Sequence, residues 1–208
     1  MDVLGLQADN KYADLVVAPD SFCPPPPHFA AIHHLQYGLA TREQFDAYFK
    51  FAFVRNPWDR VVSEYHYRRH ARLYSFKEFL FEHFPRPSWA DAWCHVIPQY
   101  DFLYDANGKR LVDFVGRYER LAADFEHVCK VLSLSTTKLP HKNKSNSILF
   151  RRDNNPLEVL RTLRSNLSLK RRRNTFEHYT QYYDDECIEW VRTKYQKDID
   201  TFEYRFGD

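Results

Sequence analysis

Residues 51–65, FAFVRNPWDRVVSEY, constrain this chain more than any other stretch. Phe51-Ala52-Phe53-Val54 is a short apolar run with the character of a fully buried strand in a parallel sheet. Asn56-Pro57 punctuates it, and proline suits the first position of a helix, where its missing N–H has no partner to lose. From Trp58 to Arg69 the apolar positions Trp58, Val61, Val62 and Tyr65 follow helical spacing. The pattern predicts a strand running directly into a helix, as in an α/β fold. Arg55 then leaves the end of the strand, and Ser63 sits two turns into the helix. Ligands of open α/β sheets bind outside the carboxyl ends of strands. A fixed guanidinium with a hydroxyl nearby suits a phosphate.

This segment resembles the 3′-phosphate-binding motif of sulfotransferases, in the group related to the carbohydrate (heparan- and chondroitin-type) enzymes. Further blocks occur in the family's order. Pro98-Gln99-Tyr100-Asp101-Phe102-Leu103, then Asp113 to Leu121 with Asp124-Phe125, look like its second block. Leu139-Pro140-His141-Lys142-Asn143 looks like its third, and Tyr195 to Phe206 like its last. The likeness spans roughly residue 45 to the C-terminus, and several ordered blocks are far more specific than one. It implies an α/β, P-loop-NTPase-like sulfotransferase fold with a short parallel sheet flanked by helices. It also implies an enzyme that transfers a sulfuryl group from 3′-phosphoadenosine 5′-phosphosulfate (PAPS) to a hydroxyl of a carbohydrate-like acceptor. On that reading Arg55 and Ser63 hold the 3′-phosphate, PAPS is a co-substrate, and no metal takes part.

One departure stands beside the match. The family binds the 5′-phosphosulfate with a strand–loop–helix whose backbone amides face the anion. None of the five glycines, Gly5, Gly38, Gly108, Gly116 and Gly207, lies in such a Lys- and Ser/Thr-containing loop upstream of Arg55. Leu15-Val16-Val17-Ala18 has strand character, but Pro19-Asp20 after it is no phosphate cradle. The expectation is a domain incomplete at its N-terminus, with Met1 an internal start or the first strand–loop–helix lost.

At 208 residues one domain is expected, with residues 1–40 an irregular start and 45–150 the core. Aromatic residues make up 17% of the chain, so Phe and Tyr supply the core. No apolar run approaches the ~20 residues of a membrane span, and no signal peptide opens the chain. A bacterial-type soluble, cytoplasmic enzyme is expected; the alternative is a membrane-associated or Golgi enzyme whose anchor precedes Met1. The four cysteines, Cys23, Cys94, Cys129 and Cys187, show no CxxC spacing and read as reduced thiols.

Along the chain, Pro24–Pro27 reads as a rigid spacer. Thr41 caps a helix to Phe49, and Ser75 caps another to His83 with Phe76, Phe79 and Leu80 inward. Residues 84–98 read as a loop. Asn107-Gly108 marks a tight turn between Phe102–Tyr104 and Leu111–Val115. Glu119–Leu132 is an amphipathic helix, Asn155-Pro156 starts another, and Asp184 starts the last long one within a C-terminal helix region at 174–208.

The stretch 151–173 carries eight Arg and Lys against two acidic residues, leaving −4 for the rest of a chain whose net charge is +2. It reads as a basic insertion. Arg171, Arg172 and Arg173 are candidate contacts to an anionic acceptor such as an acidic polysaccharide, against a solvated surface loop. Nucleic acid is not expected, since net charge is low and no binding motif is present.

Sulfuryl transfer needs a base for the acceptor hydroxyl, and histidine titrates in the right range. His33 and His34 precede the phosphate-binding strand, in a position similar to the base-bearing segment of related polysaccharide sulfotransferases. His34 is the preferred base over His33. His141 is a further pocket candidate, while His66 and His70, spaced i,i+4, read as a helix face rather than a metal pair. Two function classes remain: a PAPS-dependent sulfotransferase, and a non-catalytic or truncated sulfotransferase-like domain that binds an anionic ligand or none. A nucleotide kinase is disfavoured, because neither a Walker-type loop nor a magnesium ligand set is present.

Overall fold

The computed structural model describes residues 28–88, 91–135 and 176–208. Leu15–Ala18, Pro24–Pro27, the 139–143 block, the helix begun at Asn155-Pro156 and the basic stretch 151–173 lie outside the described residues.

Two short helices, α1 (His33–Gln36) and α2 (Arg42–Ala47), lead into strand β1 (Phe51–Val54). Thr41 caps α2 as expected: its hydroxyl accepts from the Gln44 N–H, and the Gln44 side chain accepts from the Thr41 N–H. The helix stops short of Phe49 because Tyr48 is already extended, at φ −79° and ψ 139°. Asn56 turns the chain into α3 (Pro57–Tyr67), with Pro57 at its first position. Its buried residues include Trp58, Val61, Val62 and Tyr65, the apolar set read from the sequence. α4 (Phe76–Glu82), capped by Ser75, buries Phe76, Phe79 and Leu80. Then come α5 (Asp91–Cys94), α6 (Tyr100–Leu103), β2 (Phe114–Arg117) and α7 (Leu121–Val131). α8 (Asp185–Lys194) and α9 (Gln196–Phe202) end the chain.

Among the described residues the sheet has two strands. β1 and β2 are parallel, with Phe51 opposite Phe114 and Val54 opposite Arg117. Gly116 lies opposite Phe53, where a Cβ would come within 2.5 Å of the Phe53 ring. The fold is thus mixed α/β, a short parallel sheet with helices about it. A fully buried β1 is not what forms. Val54 alone of its four residues is buried, and Phe51 is exposed; among the described residues β1 has a sheet neighbour on one side only.

One further expectation is corrected and two are sharpened. The 84–98 segment contains α5, and Arg60 of α3 anchors the end of that segment by donating to the carbonyls of His95 and Ile97 at 2.7 and 2.8 Å. The Asn107-Gly108 turn forms, with Gly108 at φ +77°, but it joins α6 to an extended segment through a single Tyr104–Arg110 bridge. The last helix breaks at Tyr195, a fully buried side chain whose hydroxyl donates to the Val96 carbonyl at 2.8 Å.

The core is aromatic. Trp58, Tyr65, Phe76 and Phe79 pack with Val191 and Tyr195. Trp58 ties α3 to α8: its indole N–H donates to the Ile188 carbonyl at 3.1 Å, and its own carbonyl accepts from the Tyr183 hydroxyl at 2.8 Å. The start of α3 is therefore held rigidly, which matters for the residues just before it.

Candidate functional site

The turn between β1 and α3 gathers side chains from the whole length of the domain. Gln99 clamps the Arg55 backbone on both sides. Its Oε1 accepts from the Arg55 N–H and its Nε2 donates to the Arg55 carbonyl, each at 2.8 Å. Gln99 is fixed in turn by Asp198, a fully buried carboxylate that accepts from the Gln99 N–H at 2.8 Å and the Tyr100 N–H at 2.7 Å. Burial pushes the Asp198 carboxyl above its ordinary range, and these N–H donors together with the Arg60 charge pull it back. Asn56 is equally buried. Its N–H donates to Glu119 Oε1 at 2.7 Å, its Oδ1 caps α3 by accepting from the Trp58 N–H at 3.0 Å, and its Nδ2 donates to the Arg205 carbonyl at 2.9 Å. Tyr204 donates to the other oxygen of Glu119 at 3.1 Å. Buried polar groups are tolerated only when satisfied in this way, so the turn has a single conformation.

That frame aims the Arg55 side chain. Its Nε donates to Asp59 Oδ2 at 2.6 Å, one turn into α3, and its guanidinium lies 4.5 Å from the centre of the half-exposed Tyr118 ring. Both Nη groups are left without a hydrogen-bond partner among the described residues. Asp59 and Ser63 are four residues apart on α3 and so share a face. Arg55 thus pairs with a residue that shares its helix face with the half-buried Ser63. A guanidinium with two free donors, a hydroxyl and an exposed aromatic ring together suit a phosphorylated ligand with a stackable group.

A groove of about 650 Å³ runs beside β1. The consecutive residues Phe49 to Val54 all line it, with Phe29, Phe45 and Phe102. One face of a strand would contribute alternate residues; consecutive ones mark the edge that no described strand pairs. Gln99 lines the same groove, so it ends next to Arg55. His34 also lines it, and burial lowers the pKa of its imidazole below the ordinary value, so the ring is neutral near pH 7. His33 is occupied differently: its Nδ1 accepts from the Ala30 N–H at 3.0 Å and closes the turn before α1.

The description "Sulfotransferase family" fits a family model matched by residues 28–205. The chain belongs to the sulfotransferase family. A protein of Archaeoglobus fulgidus, described as uncharacterized, is 41% identical over 98 residues, which is 45% of this chain and 74% of that one. No solved structure matches.

In this sulfotransferase-family chain Arg55 sits just before α3 and pairs with Asp59, Ser63 lies on α3, and His34, not His33, lines the adjoining groove. Arg171, Arg172 and Arg173 lie outside the described residues, as do His141 and Cys23. His66 pairs with the Tyr182 hydroxyl at 2.7 Å and His70 stacks on Phe79 at 4.7 Å, so the two serve the packing of α3. Cys94, Cys129 and Cys187 are buried free thiols. Sequence reading did not assign roles to Gln99, Glu119, Tyr118 or Asp198. All four fall inside the blocks that carried the resemblance, and partners 44 to 99 residues apart leave no spacing to read.

Proposed function

We propose that this protein transfers a sulfuryl group from PAPS to a hydroxyl of a carbohydrate-like acceptor. The observation that carries the reading is the clamped Arg55, with both Nη groups available beside Ser63 at the carboxyl end of β1. In this reading the two hold the 3′-phosphate through charge-assisted hydrogen bonds, and the exposed Tyr118 ring flanks the nucleotide. The acceptor enters the aromatic groove, where neutral His34 takes the hydroxyl proton as the oxygen attacks the donor's sulfur and the bridging oxygen leaves with the bisphosphate. Arg171, Arg172 and Arg173 supply positive charge to an anionic acceptor. Family membership supports sulfuryl transfer; the donor and the acceptor are this reading's own additions.

Calorimetric titration with adenosine 3′,5′-bisphosphate tests the nucleotide site without requiring turnover. Binding in the micromolar range that weakens about 10- to 100-fold in Arg55→Ala, with the melting temperature unchanged, is expected. A folded wild-type chain that does not bind overturns the reading in favour of a non-catalytic sulfotransferase-like domain. For the acceptor, the Arg171→Ala/Arg172→Ala/Arg173→Ala variant should bind an acidic polysaccharide more weakly and with a flatter salt dependence.

A further inference from the structure

We propose that His28, Asp91 and His95 form a binding site for one divalent metal ion of the zinc class, remote from the phosphate-binding turn. The three come from two places 63 residues apart in the chain. Asp91 and His95 are one helical turn apart on α5 and its C-terminal end, and His28 reaches them from the segment before α1. Asp91 Oδ1 lies 2.6 Å from His28 Nε2 and 3.6 Å from His95 Nε2. One ligand atom from each residue falls within 4.8 Å of the others. Metal–ligand bonds of about 2.0–2.1 Å put tetrahedral neighbours about 3.4 Å apart, so small side-chain rotations close the set on one ion.

What separates this cluster from a surface ion pair is its outer ring. His95 Nδ1 is 3.1 Å from Oε2 of Glu64, a buried carboxylate on α3. A histidine held at Nδ1 by a carboxylate presents the lone pair of Nε2 and a fixed ring plane, the arrangement that accompanies metal ligation. The Tyr67 ring, stacked on His95 at 5.5 Å, fixes the same plane. Arg68 donates to Glu64 Oε1 at 2.9 Å and to Asp91 Oδ2, leaving Oδ1 of Asp91 turned to the two imidazoles. Two imidazoles and one carboxylate favour zinc and its neighbours over calcium or magnesium, which take oxygen ligands. Three protein ligands leave a fourth position for water.

Glu64 and Arg68 lie 9 and 13 residues beyond Arg55, which at about 1.5 Å per residue is roughly 14–20 Å along α3. The site is therefore structural. It pins the segment entering α1, which carries His34, onto α3 and α5.

The test is a titration of the metal-free full chain with zinc, followed by cobalt substitution. One zinc per chain is expected, with a melting temperature that rises on addition and falls back with chelator. His95→Ala should lose binding at least about 100-fold. Glu64→Gln, which keeps all three ligands, should lose about 10- to 100-fold. His70→Ala, outside the cluster, should bind as wild type. Cobalt should give visible bands of a nitrogen- and oxygen-ligated ion. The absence of 1:1 binding by a folded chain overturns the proposal. So does unchanged binding in His28→Ala/His95→Ala, or a thiolate charge-transfer band, which would point to Cys94 or another cysteine instead.

Discussion

The two sides of β1 are built from opposite materials. At its carboxyl end, the Arg55–Asn56 turn is held by hydrogen bonds with Gln99, Glu119 and the Arg205 carbonyl, and Gln99 is fixed in turn by Asp198. Along the edge that no described strand pairs, the groove is held by rings: Phe29, Phe45, Phe49, Phe51, Phe53 and Phe102, with few polar groups among them. A hydrogen bond demands a given atom at a given place, while apolar bulk is satisfied by many residues. The first side therefore dictates individual residues, and the second dictates little beyond size. On the proposed function, donor recognition calls for the former and a groove that admits a variable acceptor suits the latter.

The comparison predicts where activity and stability will separate. The largest effect belongs to the groove. His34→Gln should lower turnover by about 10²- to 10⁴-fold while leaving adenosine 3′,5′-bisphosphate binding intact. His33→Gln should not reproduce that loss of turnover; equal losses in the two variants would remove His34 as the base.

On the clamped side the cost falls on the fold. Asp198→Ala leaves the buried N–H groups of Gln99 and Tyr100 without an acceptor, which costs about 1–3 kcal/mol each, partly offset by removing a buried charge. A net loss of about 3 kcal/mol corresponds to a melting temperature lower by about 8 °C for a chain of this size. A variant that melts as wild type yet loses nucleotide affinity would mean that Asp198 acts directly on ligand rather than through Gln99.

Gly116→Ala should cost about 1–3 kcal/mol, because its Cβ would press on the Phe53 ring and on Asp124, and the rings along the groove must shift to admit it. Thermal denaturation reads the loss. The smallest direct effect is expected of Ser63→Ala, about 1 kcal/mol of bisphosphate affinity with stability unchanged.

Acid should weaken the fold by way of the histidines. Burial lowers the pKa values of His33, His34, His66 and His70 below the ordinary value near 6.5. Groups with depressed folded-state values contribute stability that is complete above about pH 6.5 and is lost as pH falls through the lowered values. The melting temperature should be level above about pH 6.5 and fall on acidification below it. Turnover that depends on neutral His34 should fall on acidification and its midpoint should lie below the ordinary histidine value. A profile still climbing above pH 7 would assign the base to another group.

The sequence carried the strand-to-helix junction, the caps at Thr41 and Ser75 and the buried face of α3. Each is decided by neighbours within a few residues. It did not carry the exposure of β1, because burial of a strand depends on what pairs with its two edges, and the apolar run is the same either way. Nor did it carry the break at Tyr195, where a hydroxyl seeking the Val96 carbonyl overrides a continuous helical pattern.

By itself, then, the sequence determined the kind of unit at the centre of this protein, a strand running through Arg55 into a proline-started helix that carries Ser63, because local periodicity and a proline fix it. Only the tertiary structure decided that Gln99 clamps Arg55, that Asp198 holds Gln99, that His34 rather than His33 opens into the groove, and that His28 meets Asp91 and His95. Those relations join residues separated by tens of positions, and only packing of the aromatic core brings such partners within hydrogen-bonding distance.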